Sequence, residues 1–301
     1  MPITIALINR KGGVGRTTLT ANLATEFACW GNKVLMIDAC TNLDLTIALN
    51  TEQKESYLDD TDALIDELLV YPKQVNELLA PPGQNTETPS RLALLPAGSG
   101  LLATTSAWQD GIKYKALSLT IAAIKTKFDV ILIDCPADFS TITKNAIAAA
   151  THILLPTKLD AFSVRGVYHS LVYISEFISS YNKQLKTTGQ TSEVISPKIL
   201  GVVAMMVQTH DYIELISIQR DFMDKLKQEF PYNTYIFSNT SRLNDSLFAD
   251  WKGVPAVCAD YKGDAQQEAV FELKRIAKEV TEQIIGKPFE RDQYRYKFSS
   301  E

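Results

Sequence analysis

Residues 11–18, Lys-Gly-Gly-Val-Gly-Arg-Thr-Thr, constrain this chain more than any other stretch. They lie between an apolar, β-branched run, Ile3 to Ile8, and a segment of helical periodicity, Thr17 to Trp30, closed by Gly31. A strand that passes through Gly12, Gly13 and Gly15 into a helix turns its backbone N–H groups toward one point, at the positive end of the helix dipole. That arrangement suits a chain of phosphates, and Thr17 is placed to offer a hydroxyl to the Mg²⁺ that accompanies them. Lys11, Gly12, Gly13, Val14, Gly15, Arg16, Thr17 and Thr18 are therefore the candidate cofactor-binding residues.

The rest of the chain repeats the strand and helix alternation. Apolar runs at Lys33–Ile37, Arg91–Leu95, Val130–Ile133, His152–Leu155, Ile199–Met206 and, less clearly, Asn233–Phe237 read as strands. Helical periodicity covers Tyr114–Lys127, Ser140–Ala150, Val164–Tyr181, Tyr212–Glu229 and Ala265–Ile285, the last closed by Gly286. Near-continuous apolar strands between helices imply an α/β fold, a mostly parallel twisted sheet flanked by helices on both faces. With 46% hydrophobic and 22% charged residues over 301 positions, the chain has the composition of a globular protein with a real core. A single P-loop domain is expected over 1–286, with a polar tail at 287–301. The polar stretch Pro81 to Ser90 reads as a loop within that domain.

No run approaches the roughly 18 apolar residues of a membrane helix, and the N-terminus lacks a signal peptide's pattern, so a cytoplasmic protein is expected. Cys29, Cys40, Cys135 and Cys258 form no CxxC pair and suggest neither a disulfide framework nor a zinc site. His152, His169 and His210 are unclustered and read as packing or surface residues.

The loop resembles that of the ParA/MinD family of deviant Walker-A ATPases, written KGGxGKT[ST]. The similarity continues through VLMIDACTNLDLT at Val34 to Thr46, FDVILIDCPA at Phe128 to Ala137, NAIAAATHILLPTKLDAFSVRG at Asn145 to Gly166, and TSRLNDSLFADWKGVPAV at Thr240 to Val257. The resemblance implies ATP and Mg²⁺ as cofactors and a homodimer closed around two nucleotides. In it Lys11 is the signature lysine that reaches the partner's phosphates. Asp134, ending an apolar strand, is the Walker-B aspartate that holds Mg²⁺ through water, and Asp38 serves the same metal's outer shell. With Thr17 these make the metal set, and Lys11, Arg16, Asp38 and Cys40 make the catalytic set.

Two positions depart from the family pattern. Arg16 replaces the P-loop lysine, keeping the charge but exchanging a compact ammonium for a planar fork. Cys40 stands where the family has the aspartate that positions the attacking water. A neutral thiol accepts a proton poorly, and losing such a group costs roughly 10²–10⁴ in rate. Asp44 lies close in sequence and reads as a solvated loop carboxylate, with a compensating catalytic role as the alternative. The expectation is secure binding of ATP and Mg²⁺ with slow hydrolysis.

The family's branches differ in output. A ParA-like dimer binds nonspecific DNA and positions plasmid, chromosome or other cargo through a ParB-like adaptor. A MinD-like protein attaches to membrane through an amphipathic C-terminal helix, but the tail from Lys287 shows no apolar helical stripe, so membrane is the lesser alternative. Iron–sulfur chemistry needs grouped thiolates, which the spacing does not offer. The DNA candidates are Arg242, Arg220 and Lys252, with Lys225, Lys227, Lys274 and Arg275, and nucleoid association follows from them. A formal charge of -5, from 30 Lys and Arg against 35 Asp and Glu, does not exclude DNA. A dimer can gather a local basic patch from two acidic chains, which predicts weak, nucleotide-dependent binding.

Overall fold

The computed structural model describes residues 2–49, 91–97, 114–124, 127–210, 214–215, 217–229, 234–242 and 264–288. In chain order these form β1 (Ile3–Leu7), α1 (Arg16–Cys29), β2 (Val34–Asp38), α2 (Asp44–Leu49), β3 (Leu92–Leu95), α3 (Ala116–Ile124) and β4 (Val130–Asp134). There follow α4 (Thr141–Ala149), β5 (His152–Thr157), α5 (Ala161–Thr187), β6 (Lys198–Ala204), a two-residue antiparallel pair β7 (Thr209–His210) and β8 (Glu214–Leu215), α6 (Ser217–Glu229) and α7 (Asp264–Ile285).

The main sheet runs β3-β2-β4-β1-β5-β6, all parallel, as the unbroken apolar runs require. Strand alternation divides the core into two layers. Ala6, Ile8, Leu35, Ile37, Ile131, Ile133, Ile153 and Leu155 face a layer that includes residues of α3, α4, α5 and α6. Ile5, Leu7, Val34, Met36, Val130, Leu132 and Leu154 face the opposite layer, closed by α1 and α7. On α7 the apolar stripe Ala269, Val270, Leu273, Ile276, Ala277 and Val280 is buried in that second layer.

From β1 the chain winds outward to β2 and β3, then returns through β4 to β5 and β6 on the other side. The direction reverses at β1, and in open parallel sheets ligands bind beyond the carboxyl ends of the strands at such a point. The register aligns the ends closely: Asp134 pairs in level with Leu7 on β1 and with Asp38 on β2. Two acidic side chains from strands far apart in sequence are thereby delivered to one edge.

Several elements differ from the sequence expectation: the helix expected at Tyr212–Glu229 covers Ser217–Glu229, and Glu214–Leu215 pair as β8 instead. The segment around Asn233–Phe237 is no regular strand among the described residues, and only the parallel bridge Val202↔Ile236 ties it to β6. The helix expected at Val164–Tyr181 begins earlier, because the Asp160 carboxylate caps it by accepting from the backbone N–H groups of Phe162 and Ser163 at 3.0 and 2.9 Å. The short helix α2 has no counterpart in the sequence pattern. The Thr46 N–H and hydroxyl on it donate to Asp38 at 2.9 and 2.7 Å. The polar stretch Pro81–Ser90 and the tail beyond 288 lie outside the described residues.

A bulge sets the close approach of the segment beside β6. The β5/β6 register slips after Ile153, and Gly201 takes φ +141. A Cβ on Gly201 would meet the Tyr235 carbonyl oxygen at 2.3 Å, where Val202 N donates to that carbonyl at 2.8 Å. Gly201→Ala should therefore lower stability by about 1–3 kcal/mol, read as a fall in the urea midpoint at unchanged slope. A variant within about 0.5 kcal/mol of the parent would show that the bulge is not strained.

Candidate nucleotide and metal site

The loop leaves β1 at Ile8 and is braced from below. Asn9 is fully buried; its Nδ2 donates to Pro156 O at 2.8 Å and its Oδ1 accepts from Lys11 N at 2.9 Å. From α5, the Ser170 hydroxyl accepts from Arg10 N at 3.0 Å. Gly166 lets that helix come close, since a Cβ there would lie 3.0 Å from Asn9 Oδ1 and 3.2 Å from Lys11 Cβ. The loop top is open: Gly12 and Gly13 are exposed, and a Cβ on either would meet nothing within 4 Å.

Gly15, at φ +85, is the N-cap of α1 and supplies no side-chain cap, and the first turn carries no acidic residue. The amides of that turn are thus left to an outside acceptor at the positive helix end, which suits an anion. Val14 is buried beneath the loop, while Lys11 is exposed at its crest. Thr18 is half-buried, with its carbonyl accepting from Asn22 Nδ2 at 2.8 Å. Arg16 folds under the loop, its Nη1 donating to the carbonyls of Asn9 at 2.5 Å and Lys11 at 2.9 Å. Its fork braces the loop backbone in a way a single ammonium would match poorly.

Facing the loop are the strand-end carboxylates. Thr17 Oγ1 donates to Asp134 Oδ2 at 2.7 Å, whereas Asp134 Oδ1 is buried with no hydrogen-bond partner among the described residues. Asp38 is also fully buried and accepts from Cys40 N at 3.0 Å and from Thr46 N and Oγ1. Thr46 Oγ1 in turn accepts from Ala97 N at 3.1 Å. Asp38 therefore organises the chain from Cys40 to α2 while remaining beside Asp134. Asp44, at the start of α2, is exposed.

Burial pushes the Asp134 carboxyl up to about 7, and the charge of Asp38 adds to the rise; the Thr17 hydrogen bond and Arg16 oppose it. Burial likewise raises Asp38 to about 6, against the hydrogen bonds from Thr46 and Cys40. Cys40 is 6% exposed, and its Sγ contacts Asp134 O at 3.6 Å. Burial first, then the carboxylates of Asp134 and Asp38, hold its thiol far above the ordinary value. In this state it is a neutral thiol, not a base. An orphaned carboxylate oxygen, a threonine hydroxyl and a second acid at one strand edge fit a hard divalent cation, and the open loop fits the phosphates it would accompany.

The fold thus brings together Lys11 to Thr18, Asp38, Cys40 and Asp134. Arg242, by contrast, is held by acids of α7. The Arg242 guanidinium is paired with Glu272 through Nε and lies 3.4 Å from Glu268, and the side chain is 12% exposed. Its backbone N also donates to Glu272 at 2.9 Å. Arg220, Lys225 and Lys227 are exposed on α6, and Lys225 Nζ lies 5.4 Å from the Phe222 ring centre. Arg275 is 3.2 Å from Glu268, Lys274 is half-buried, and Lys252 lies outside the described residues. Asn9, Thr46 and Gly166 support the site but carry no signal of their own in the sequence.

A family described as an AAA domain matches residues 3–187. The chain is 35% identical over 164 residues to the septum site-determining protein MinD of Synechocystis, spanning 54% of this chain and 55% of that protein. It is 29% identical over 188 residues to the chromosome partitioning protein ParA of Caulobacter vibrioides, spanning 62% and 67%. Its fold is similar to that of McdA from Cyanothece, with a TM-score of 0.72 at 20% identity over 94% of this chain and 100% of that one. McdA has also been solved as an ATP complex.

The raised carboxyls give a pH signature. A folded-state carboxyl lifted from 3.8 to about 7 binds its proton more tightly than the unfolded chain does, so stability falls as pH rises from about 4 to about 7 and stays reduced above it. In the absence of nucleotide and metal, Asp134→Asn should therefore be more stable than the parent at pH 8, by about 1–2 kcal/mol, with the difference vanishing near pH 4. Thermal melts across that range check it. A variant destabilised equally at both ends would contradict it.

Proposed function

The chain belongs to the ParA/MinD family of P-loop ATPases, and on that premise we propose that it is a ParA-type switch that binds ATP and Mg²⁺, dimerises around the nucleotide, hydrolyses it slowly, and positions cargo on nonspecific DNA. The observation that carries the nucleotide step is the opposition of an uncapped α1 to the Thr17–Asp134 pair with its orphaned Oδ1. In this reading the amides of Gly13 to Thr18 cradle the phosphates, and Thr17 and Asp134 hold the Mg²⁺, with Asp38 behind them. The cation, when bound, neutralises phosphate charge.

This chain's own residues then divide the work. Arg16 keeps the loop closed on its carbonyls. Lys11 extends from the crest toward a second copy. Cys40 excludes water from the Asp134 backbone without taking a proton from it. Slow turnover makes the nucleotide a clamp on the dimer rather than a fuel. DNA affinity would come from basic residues of both copies, among them Arg220, Lys225 and Lys227 on α6, and a ParB-like adaptor would supply the trigger for hydrolysis.

A MinD-like membrane reading is favoured by the 35% identity to the septum-site protein. Against it, the apolar stripe of α7 is already buried against α1 and the sheet, which leaves Phe271 as an isolated exposed apolar side chain rather than a stripe for a bilayer; the tail beyond 288 lies outside the described residues. Among the described residues no helix is long and apolar enough to cross a membrane.

Two experiments test the proposal. Restoring a carboxylate with Cys40→Asp should raise ATP turnover by about 10- to 100-fold, since a positioned base is worth roughly 10²–10⁴ and the new acid enters a crowded site. Phosphate release unchanged from the parent would contradict the assignment of Cys40. DNA retention measured with ATP, ADP or no nucleotide, beside liposome sedimentation, separates the outputs. ATP-dependent retention that falls steeply with log salt is expected. Liposome binding without DNA retention would replace the ParA reading with the MinD one.

A further inference from the structure

One group of side chains among the described residues has a donor set that ordinary Mg²⁺ binding does not explain. A carboxylate oxygen of Asp38, the sulfur of Cys40 and a carboxylate oxygen of Asp134 all lie within 4.8 Å of one another, and all three residues are buried. Independently, Asp134 Oδ1 is shut off from solvent and lacks a hydrogen-bond partner among the described residues. The Cys40 sulfur makes a long, weak contact with Asp134 O at 3.6 Å, which a metal bond would readily replace. Hard cations take oxygen sets, whereas a sulfur among the donors shifts preference toward the zinc class.

We propose that Asp38, Cys40 and Asp134 form a mixed carboxylate and thiolate site for a thiophilic divalent cation of the zinc class. Zinc bonds of about 2.0–2.3 Å to oxygen and sulfur require the three donors to close in by about 1 Å, a side-chain adjustment. On binding, the proton of the Cys40 thiol and any proton held by Asp38 or Asp134 are released to solvent, and lone pairs of the sulfur and the carboxylate oxygens form the metal bonds; nothing is oxidised or reduced. Two carboxylates and the thiolate then carry three negative charges against the two of the dication, and the Arg16 guanidinium nearby offsets the excess, with Asp44 a further acid at the edge of the group. The hydrogen bonds from Cys40 N and Thr46 hold Asp38 in orientation, as outer partners of metal ligands do. Because Asp134 is shared, zinc competes with Mg·ATP at this site. That consequence rests on the nucleotide reading above, whereas the zinc site itself does not.

The test titrates the full chain, reduced and free of nucleotide, with Co²⁺ and Cd²⁺. One cation per chain with a sulfur-to-metal charge-transfer band is expected. Cys40→Ser should abolish the band and weaken Cd²⁺ binding at least about tenfold, and Cys135→Ser should keep both. Asp134→Asn is a second variant that removes a ligand without touching the thiol, and a similar loss of affinity is expected. No band, a band that survives Cys40→Ser, a band lost in Cys135→Ser, or an affinity indifferent to Asp134→Asn each overturns the site. With Mg·ATP in excess over Zn²⁺, zinc should weaken nucleotide binding at least about tenfold in the parent and not in Cys40→Ser. A band without this competition overturns the sharing of Asp134. Normal Mg·ATP binding with no band overturns the zinc site and leaves the nucleotide reading standing.

Discussion

The site depends on one unfavourable burial. Asp134 ends a fully buried strand, shares its level in the sheet with Asp38, and its carboxylate has a single hydrogen bond, from Thr17, among the described residues. Two carboxylates this close and this dry raise each other's affinity for protons, and a chain selected for stability alone would not keep them. Their cost is offset only when positive charge arrives. The fold places Arg16 beneath the loop, and in the proposed reading a cation beside Thr17 would add to it.

The surroundings make this arrangement rigid. Asn9 ties the loop to β5 through Pro156, Ser170 and Gly166 bring α5 against it, and Thr46 links Asp38 to Ala97. Each of these groups is a small polar residue or a glycine with its bonds satisfied, and together they hold the strand ends and the loop in register. The substitutions that set this chain apart, Arg16 and Cys40, both fall inside that frame. Arg16 braces the loop through the carbonyls of Asn9 and Lys11. Cys40 puts a neutral, buried sulfur beside the two carboxylates.

How much of this was legible in the sequence follows from the range of the interactions. The glycine loop, its flanking strand and helix, and acids ending apolar strands are local patterns, so Thr17, Asp38 and Asp134 were within reach of the pattern alone. The parallel sheet followed from unbroken apolar runs. Asn9 and Thr46 were hidden because a buried amide or hydroxyl looks like any loop residue until its partners, Pro156 and Ala97, are brought to it. Arg242 looked like a basic surface residue, and only the packing of α7 revealed Glu272 and Glu268 thirty and twenty-six positions further on. The start of α5 lay three residues ahead of its apolar pattern because a cap, Asp160, sets it rather than periodicity.

The central claim is that two buried, part-protonated carboxylates wait for a cation that comes with nucleotide. Isothermal calorimetry of Mg·ATP binding near pH 6.5, in buffers of different ionisation enthalpy, tests it most directly. The account predicts Mg²⁺-dependent binding that releases protons from the protein, with the release reduced in Asp134→Asn. Binding that is equally tight without Mg²⁺, or that releases no protons beyond those of the nucleotide itself, would contradict it.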